Sequence, residues 1–387
     1  MKKIFTAATS AALVIALLIS GCNTEKPDTS PYFFAMAADA VMNIPSAVQS
    51  EREEDCYKIY GATRKVLAEI DESLSSTLKS SCVYKFNQAP AGAKVEIDET
   101  AYKVFGLAKS VYEITEGFYN PAVYYNVIAY GFGGAMSYPD TAEELPKDGD
   151  IAQYNELAAA FKDLTLVVEN GKYYAVKPGV EVTVNGEVCS MKVDLGGLGK
   201  GYAVDTVNSI MDGYNMPYGY FSFGESSIAF KKYKSVDSQS ENYILGLSNP
   251  RYKKDSSRQY VEFDVMDSTL STSGDNVQYY EIDGVRYSHV IDPKTGKPVQ
   301  TGVMSATVVG PNAARNDAYT TAIMAMGKTK AVEFINTHLS DLRVIFTYNN
   351  GGKYEIISNI SKDKLRIKAQ DFYLANTVED GKIVLVP

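Results

Sequence analysis

The chain has 387 residues, 45% of them hydrophobic and 22% charged, with a formal net charge of −9. That apolar content is globular and excludes a disordered or low-complexity protein. With no basic stripe, the negative balance argues against nucleic acid or anionic headgroups as partners, so an anionic ligand needs local help from a metal or a placed lysine.

Lys2 and Lys3 precede an apolar run from Ala7 to Ile19 that is too short to favour a membrane-spanning helix. The run ends in Ser20-Gly21-Cys22, which resembles a bacterial lipobox. Residues 1–22 are therefore read as a lipoprotein signal peptide with Cys22 as the lipidation site. Residues 23–32 read as a polar tether and 33–387 as one large domain. The expected location is the extracytoplasmic face of a bacterial membrane, held there by lipid. Cys56, Cys82 and Cys189 remain, an odd number without C-x-x-C spacing, which argues against a zinc site or a disulfide framework. A single pair could still bridge in an oxidising compartment.

Within Pro45 to Thr77, Cys56, Ile59, Tyr60, Val66, Leu67, Ile70 and Leu74 recur at helical spacing. A second helix is expected from Glu99 to Thr115, stopping at Gly117. The aromatic segments Gly117-Phe118-Tyr119-Asn120-Pro121 and Tyr130-Gly131-Phe132-Gly133 follow, and from spacing alone they read as a core loop. Asp140 to Asp150 is acidic and polar, the composition of a surface loop. Asn170-Gly171 and Asn185-Gly186 each join two apolar runs and signal hairpins. The second hairpin delivers the chain into Asp194-Leu195-Gly196-Gly197-Leu198-Gly199-Lys200, where a glycine run opens a helix. Strand, glycine turn and helix together point backbone N–H groups at phosphate. In the first turn Lys200 is disfavoured by the helix dipole unless an anion binds there. Tyr220 to Glu225 reads as a strand running into a loop, and Tyr243 to Pro250 as another.

The stretch from Ser271 to Thr321 organises the rest. Asp283-Gly284 is a two-residue hairpin turn, and Asp292-Pro293-Lys294-Thr295-Gly296 reads as a type I turn beside His289. After the N-cap Asn312, a helix is expected from Ala313 to Gly327, with Asp317 and Thr321 four apart on one face. A further helix from Thr329 ends near His338, which reads as a surface or capping histidine, and a hairpin spans Leu342 to Ser358. An oxygen pair, a glycine turn with a lysine, and one histidine by a tight turn suggest a Mg2+-assisted reaction at phosphate. Mg2+ needs few protein ligands when phosphate and water complete its octahedron.

These motifs together resemble the FAD:protein FMN transferases of the ApbE family. The carriers are Thr272-Ser273-Gly274-Asp275, Ser288-His289-Val290-Ile291-Asp292-Pro293-Lys294-Thr295-Gly296, the Asp317/Thr321 pair, and Asp194 to Asp205. The resemblance runs from about Met36 to about Leu342. It implies an α+β fold, a single large catalytic domain of two α/β lobes with mixed and antiparallel sheets. It also implies that FAD is cleaved at its pyrophosphate, that FMN passes to a threonine hydroxyl of an acceptor flavoprotein, and that AMP leaves. Mg2+ ligands are implied at Gly197, Asp317 and Thr321, with His289 and Asp317 as catalytic residues. Cofactor contacts are implied at Met36, Thr77, Phe118, Tyr119, Asn120, Asp194, Lys200 and His289. Where the family has Met-Gly-Thr, a flavin-stacking tyrosine, Gly-x-Phe-Asp-Pro and Gly-Gly-(Asp/Asn), this chain has Met36-Ala37-Ala38, Thr77, Gly117-Phe118-Tyr119-Asn120-Pro121 and Phe223-Gly224-Glu225. A Mg2+-dependent FAD pyrophosphatase that uses water as acceptor, and a lipoprotein that only binds flavin, are the competing readings.

Overall fold

A nine-stranded sheet forms the frame, and its strands lie in the order in which the chain makes them. They are β1 (Tyr32–Ala35), β2 (Ala38–Asn43), β3 (Tyr220–Phe223), β4 (Ser227–Phe230), β5 (Ser268–Gly274), β6 (Val303–Gly310), β7 (Arg343–Asn350), β8 (Lys353–Ser358) and β9 (Phe372–Leu374). Every neighbouring pair is antiparallel except β8 and β9, which are parallel. The computed structural model describes residues 30–133, 136–236, 242–254 and 256–386. The expected signal peptide, Cys22 and most of the expected tether lie outside the described residues.

Eight helices accompany the sheet among the described residues: α1 (Ser46–Glu51), α2 (Glu53–Leu74), α3 (Cys82–Gln88), α4 (Glu99–Ile114), α5 (Tyr124–Ala129), α6 (Asp148–Ala159), α7 (Gly196–Gly213) and α8 (Ala313–His338). The amphipathic helix expected within 45–77 is α2, and it starts after Arg52, whose guanidinium donates to the carbonyls of Tyr214 (2.6 Å) and Asn215 (2.8 Å). It thereby satisfies carbonyls that the C-terminus of α7 leaves free. The acidic stretch 140–150 is not all loop, because α6 begins inside it at Asp148. Gly327, with φ 72 and ψ 174, is non-helical and divides α8 into two helical segments across a kink, where the sequence places the end of one helix and the start of the next.

Both faces of the sheet are covered. On one, Val204 and Val207 of α7 and Ala318, Ala322 and Ile323 of α8 share a core with Ala306 and Val308 of β6. On the other, a small sheet of Tyr243–Ser248, Gln259–Val265 and Arg366–Ile367 packs Tyr260 and Phe263 against Met304 and Val309. All eight residues of β6 are buried, which is why its sequence reads as a nearly unbroken apolar run and not as an alternation. Mixed and antiparallel sheets with helices on one side make this an α+β fold, as the sequence resemblance implies. Among the described residues, no helix is long and apolar enough to cross a membrane.

The β1–β2 turn has no sequence signal. Met36 and Ala37 occupy it with φ 49 and 56, the left-handed conformations that a two-residue hairpin requires. An L-residue with a Cβ pays about 1–2 kcal/mol for that region. Ala37→Gly should therefore raise stability by about 0.5–1 kcal/mol after the greater freedom of glycine in the unfolded chain is subtracted. A urea-unfolding midpoint that falls in this variant would contradict the assignment.

Candidate active site

The glycine turn is built by side chains from distant parts of the chain. Asn87 at the end of α3 grips Val193 from both sides: its Nδ2 donates to the Val193 carbonyl and its Oδ1 accepts from the Val193 N–H, each at 2.9 Å. Asp194 follows, with its N–H donating to the Pro121 carbonyl at 2.8 Å. Its two carboxylate oxygens accept from the Gly196 N–H (2.7 Å) and the Ser76 hydroxyl (2.8 Å). Asp194 thus shapes the turn that starts α7. Met36 lies across the next turn of that helix, so close that a Cβ on Gly199 would fall 2.5 Å from its terminal methyl.

Helix α8 crosses α7 at Gly201, where an added Cβ would land on the backbone of Ala313 and Ala314. The crossing brings Asp205 to the start of α8, and its carboxylate accepts from the N–H groups of Ala313 (2.7 Å) and Ala314 (3.0 Å). Asn312 adds the expected cap, accepting from the Arg315 N–H at 2.8 Å. Burial pushes the Asp205 carboxyl up to about 6, against the pull of the two N–H groups. The same crossing turns Asp317 towards α7. Asp317 is 3% exposed, and its Oδ2 accepts from the Gly201 N–H at 3.2 Å.

Thr321 lies one turn further on. Its hydroxyl makes only long contacts, 3.3 Å to the Asp317 carbonyl and 3.4 Å to the Ser273 hydroxyl at the end of β5. Ser273 itself is held by Thr320 at 2.8 Å. A Cβ on Gly197 would lie 3.4 Å from the Thr321 hydroxyl and 3.5 Å from Cε2 of Tyr119. Gly197, Asp317, Thr321 and Tyr119 therefore meet at one place.

Burial pushes the Asp317 carboxyl up, while the Lys200 ammonium and the Gly201 N–H act to lower it. A cation beside such a buried carboxylate would offset the cost of burying its charge. No group of three or more His, Cys, Asp or Glu is assembled for a metal among the described residues. One carboxylate, a hydroxyl and a glycine carbonyl fit Mg2+, which shares its shell with phosphate, and do not fit zinc.

His289 follows the hairpin Tyr279–Ile282/Val285–Ser288, which turns at Asp283-Gly284 as expected. Its Nδ1 lies 3.3 Å from the Gln278 carbonyl. A carbonyl only accepts, so Nδ1 carries the proton and Nε2 keeps its lone pair. Burial pushes the imidazole down to about 4, and the Lys200 charge works in the same direction. The Gln278 carbonyl and Asp275 oppose them. Asp275 is clamped by Arg251 through two contacts of 2.6 Å, with Arg286 at 3.7 Å. Lys200 Nζ folds back onto the Gly196 carbonyl at 3.2 Å, and its charge reaches both Asp317 and His289.

Other residues expected at the site are engaged differently. Asn120 has its amide satisfied within the protein, donating to the Ala158 carbonyl and accepting from the Ala122 N–H, both at 2.9 Å. The Phe118 ring lies between the ammonium groups of Lys294 and Lys330, each 5.1 Å from its centre. Thr77 is exposed, with its hydroxyl 3.3 Å from that of Ser75. Ser76 and Arg251 support the site without any local sign in the sequence, whereas Ser273 and Asp205 stand in the motifs that carry the resemblance.

A glycine turn and a buried oxygen-donor pair thus meet where α7 crosses α8, an arrangement whose donors suit a hard cation beside phosphate. The model of the ApbE family matches residues 41–346, and the chain belongs to that family. It is 26% identical to an FAD:protein FMN transferase of Klebsiella pneumoniae over 84% of this chain and 88% of the relative. The crystal structure of the ApbE protein of Thermotoga maritima is 25% identical and covers 82% of this chain and 93% of its own, with a TM-score of 0.66. The flavin transferase ApbE of Vibrio cholerae shares the fold at 20% identity and a TM-score of 0.66, over 84% of this chain and 95% of its own.

Proposed function

We propose that this protein is an FAD:protein FMN transferase that acts with Mg2+. The observation that carries the reading is the meeting of Gly197, Asp317 and Thr321 where α7 crosses α8, with Lys200 and His289 close enough to act on the same charge. Asp317, Thr321 and the Gly197 carbonyl would hold the cation, which would supply positive charge beside the pyrophosphate. Lys200 is oriented by the Gly196 carbonyl and pairs with a phosphate oxygen.

The acceptor threonine hydroxyl attacks the flavin-side phosphorus. His289 takes the hydroxyl proton on Nε2, the lone pair that the Gln278 carbonyl leaves free. The new bond joins threonine oxygen to phosphorus, the bond from phosphorus to the bridging oxygen breaks, and that oxygen departs on AMP. Met36 lies against Gly199 and Tyr119 against Gly197, and Asp194 holds the turn in shape.

Incubation with FAD, Mg2+ and a threonine-bearing acceptor tests the reading. Flavinylated acceptor with stoichiometric AMP is the expected product. Free FMN plus AMP would make the protein a pyrophosphatase, and unchanged FAD a binder. The lipid anchor at Cys22 rests on the lipobox-like Ser20-Gly21-Cys22. Cys22→Ala should release the protein from the membrane fraction with its activity on a soluble acceptor unchanged. A wild-type mature N-terminus elsewhere and without lipid would overturn the anchor.

A further inference from the structure

The first strand presents aromatic rings to solvent as well as to the core. β1 stands at one edge of the nine-stranded sheet, with β2 as its only neighbour there. Its side chains alternate. Phe33 and Ala35 are buried, and the Phe33 ring centre lies 6.1 Å from that of Phe221 and 6.4 Å from that of Tyr60. Tyr32 and Phe34 point the other way and are 70% and 72% exposed, more than any other aromatic side chain among the described residues. A groove of about 360 Å³ adjoins them, and Leu67 and Leu78 continue its apolar lining towards α2. Single exposed apolar residues need no explanation, but two rings and the exposed Leu78 gathered at an open sheet edge do.

What covers this edge follows from where the chain enters it. The start of the strand is pinned: the Pro31 carbonyl accepts from the Met42 N–H at 2.9 Å, and the Ser30 carbonyl accepts from the Arg64 guanidinium. Cys22 precedes Ser30 by eight residues. Eight residues reach at most about 29 Å when fully extended. The opposite edge, β9, stands eight strand spacings from β1, about 38 Å. With a lipid on Cys22, the tether is too short for β9 to meet the bilayer with β1 turned away. It also makes any contact between β1 and the bilayer intramolecular, so that even a weak one persists.

The chemistry of the face selects the layer it meets. Aromatic rings with an apolar body and a polar tip settle at the interface between headgroups and acyl chains. Asp71 and Glu72 line the same groove, and the chain carries a net charge of −9, so anionic headgroups are not the attraction. The contact is apolar and suits a neutral lipid surface.

We propose that the outer face of β1, with Tyr32 and Phe34, lies against the lipid surface that holds the anchor. The inference rests on the lipid anchor at Cys22 and adds a direct contact between the folded domain and the bilayer. Met36 follows β1 directly and lies against Gly199, so the same contact places the candidate site at the membrane-facing end of the molecule.

The chain has no tryptophan, so a single introduced indole reports alone. The full lipidated protein carrying Phe34→Trp is reconstituted in phosphatidylcholine vesicles with brominated acyl chains. A blue shift and a loss of emission relative to vesicles without bromine are expected, while Tyr373→Trp, on β9 at the far edge, keeps its emission. Flotation with the vesicles but unquenched Phe34→Trp emission overturns the inference and leaves the anchor intact. Equal quenching of the two variants shows no preferred face and overturns it as well. A blue shift that appears without vesicles and grows with protein concentration assigns the edge to a second copy. One that requires the acceptor flavoprotein assigns the edge to that partner, and either result overturns the inference. A wild-type protein that carries no lipid and does not float with vesicles overturns the anchor and this inference with it.

Discussion

Asp317→Asn should abolish FMN transfer and Mg2+-dependent FAD binding, whereas Thr321→Ala should leave a weakened enzyme that high Mg2+ partly restores. The ordering follows from charge. Asp317 is the only ionised group of the proposed ligand set, while Thr321 offers a hydroxyl dipole whose protein contacts are already long. Removing the charge that holds the cation at the reacting phosphate removes several kcal/mol of transition-state stabilisation, about three orders of magnitude in rate. The free protein should respond in the opposite sense. Burial raises the Asp317 carboxyl above its unfolded value, so without metal it contributes stability at low pH that is lost as pH rises through the folded value. Asp317→Asn should therefore melt higher than wild type at neutral pH in the absence of Mg2+. If the Asn variant still titrates Mg2+ like wild type in the presence of FAD, the cation is held elsewhere. A Thr321 variant more damaging than the Asp317 variant would contradict the charge argument.

The parts of this centre that could be read from the sequence are those fixed by local geometry. The Asp317/Thr321 pair follows from helical spacing after the Asn312 cap, and the cap forms as expected. The hairpins at Asn170-Gly171, Asn185-Gly186 and Asp283-Gly284 follow from turn residues that tolerate positive φ. The same signal at Asp380-Gly381 marks the C-terminal hairpin Asn376–Glu379/Lys382–Leu385, which the sequence analysis does not place. Met36-Ala37 turns a hairpin with neither glycine nor asparagine, so composition gave no hint of it. Helix α6 escaped because only Ile151, Leu157 and Ala158 of its twelve residues are buried, too few to make an apolar stripe.

Other features depend on contacts between distant residues. Asn87 holds Val193 across 106 residues, and Asp205 reaches Ala313 across 108. Both side chains are short and polar, and neither spacing nor propensity says which distant backbone group they will find. Phe118 and Asn120 show the converse. Their motif positions suggest cofactor contacts, but the ring is engaged by Lys294 and Lys330 and the amide by Ala158 and Ala122. Motif position locates a residue near a site, and the hydrogen-bond partners then decide whether its polar atoms remain available to a ligand.

His289→Ala should lower transfer by about 10²–10⁴-fold, the range for loss of a positioned base, while FAD affinity changes little. The pH dependence separates this role from phosphate binding. Burial pushes the imidazole down to about 4, so the neutral form persists well below the ordinary histidine range near 6.5. The acid limb of the rate profile that depends on His289 should therefore lie towards pH 4, with a flat region from about pH 6 to 7.5. Stability gives an independent reading. A group whose folded pKa is lowered contributes stability that is present above its unfolded pKa and is lost as pH falls towards the folded value. Wild type should thus lose stability relative to His289→Ala between about pH 6.5 and 4, measured as urea midpoints at the two ends of that window. A phosphate-binding His289 would need a proton on Nε2: in the neutral ring that leaves the Nδ1 lone pair facing the Gln278 carbonyl at 3.3 Å, two acceptors in contact, and in the charged ring it is opposed by burial. It would show itself as a large rise in the FAD dissociation constant with little change in the rate of bound substrate, and that result would remove His289 from the role of base.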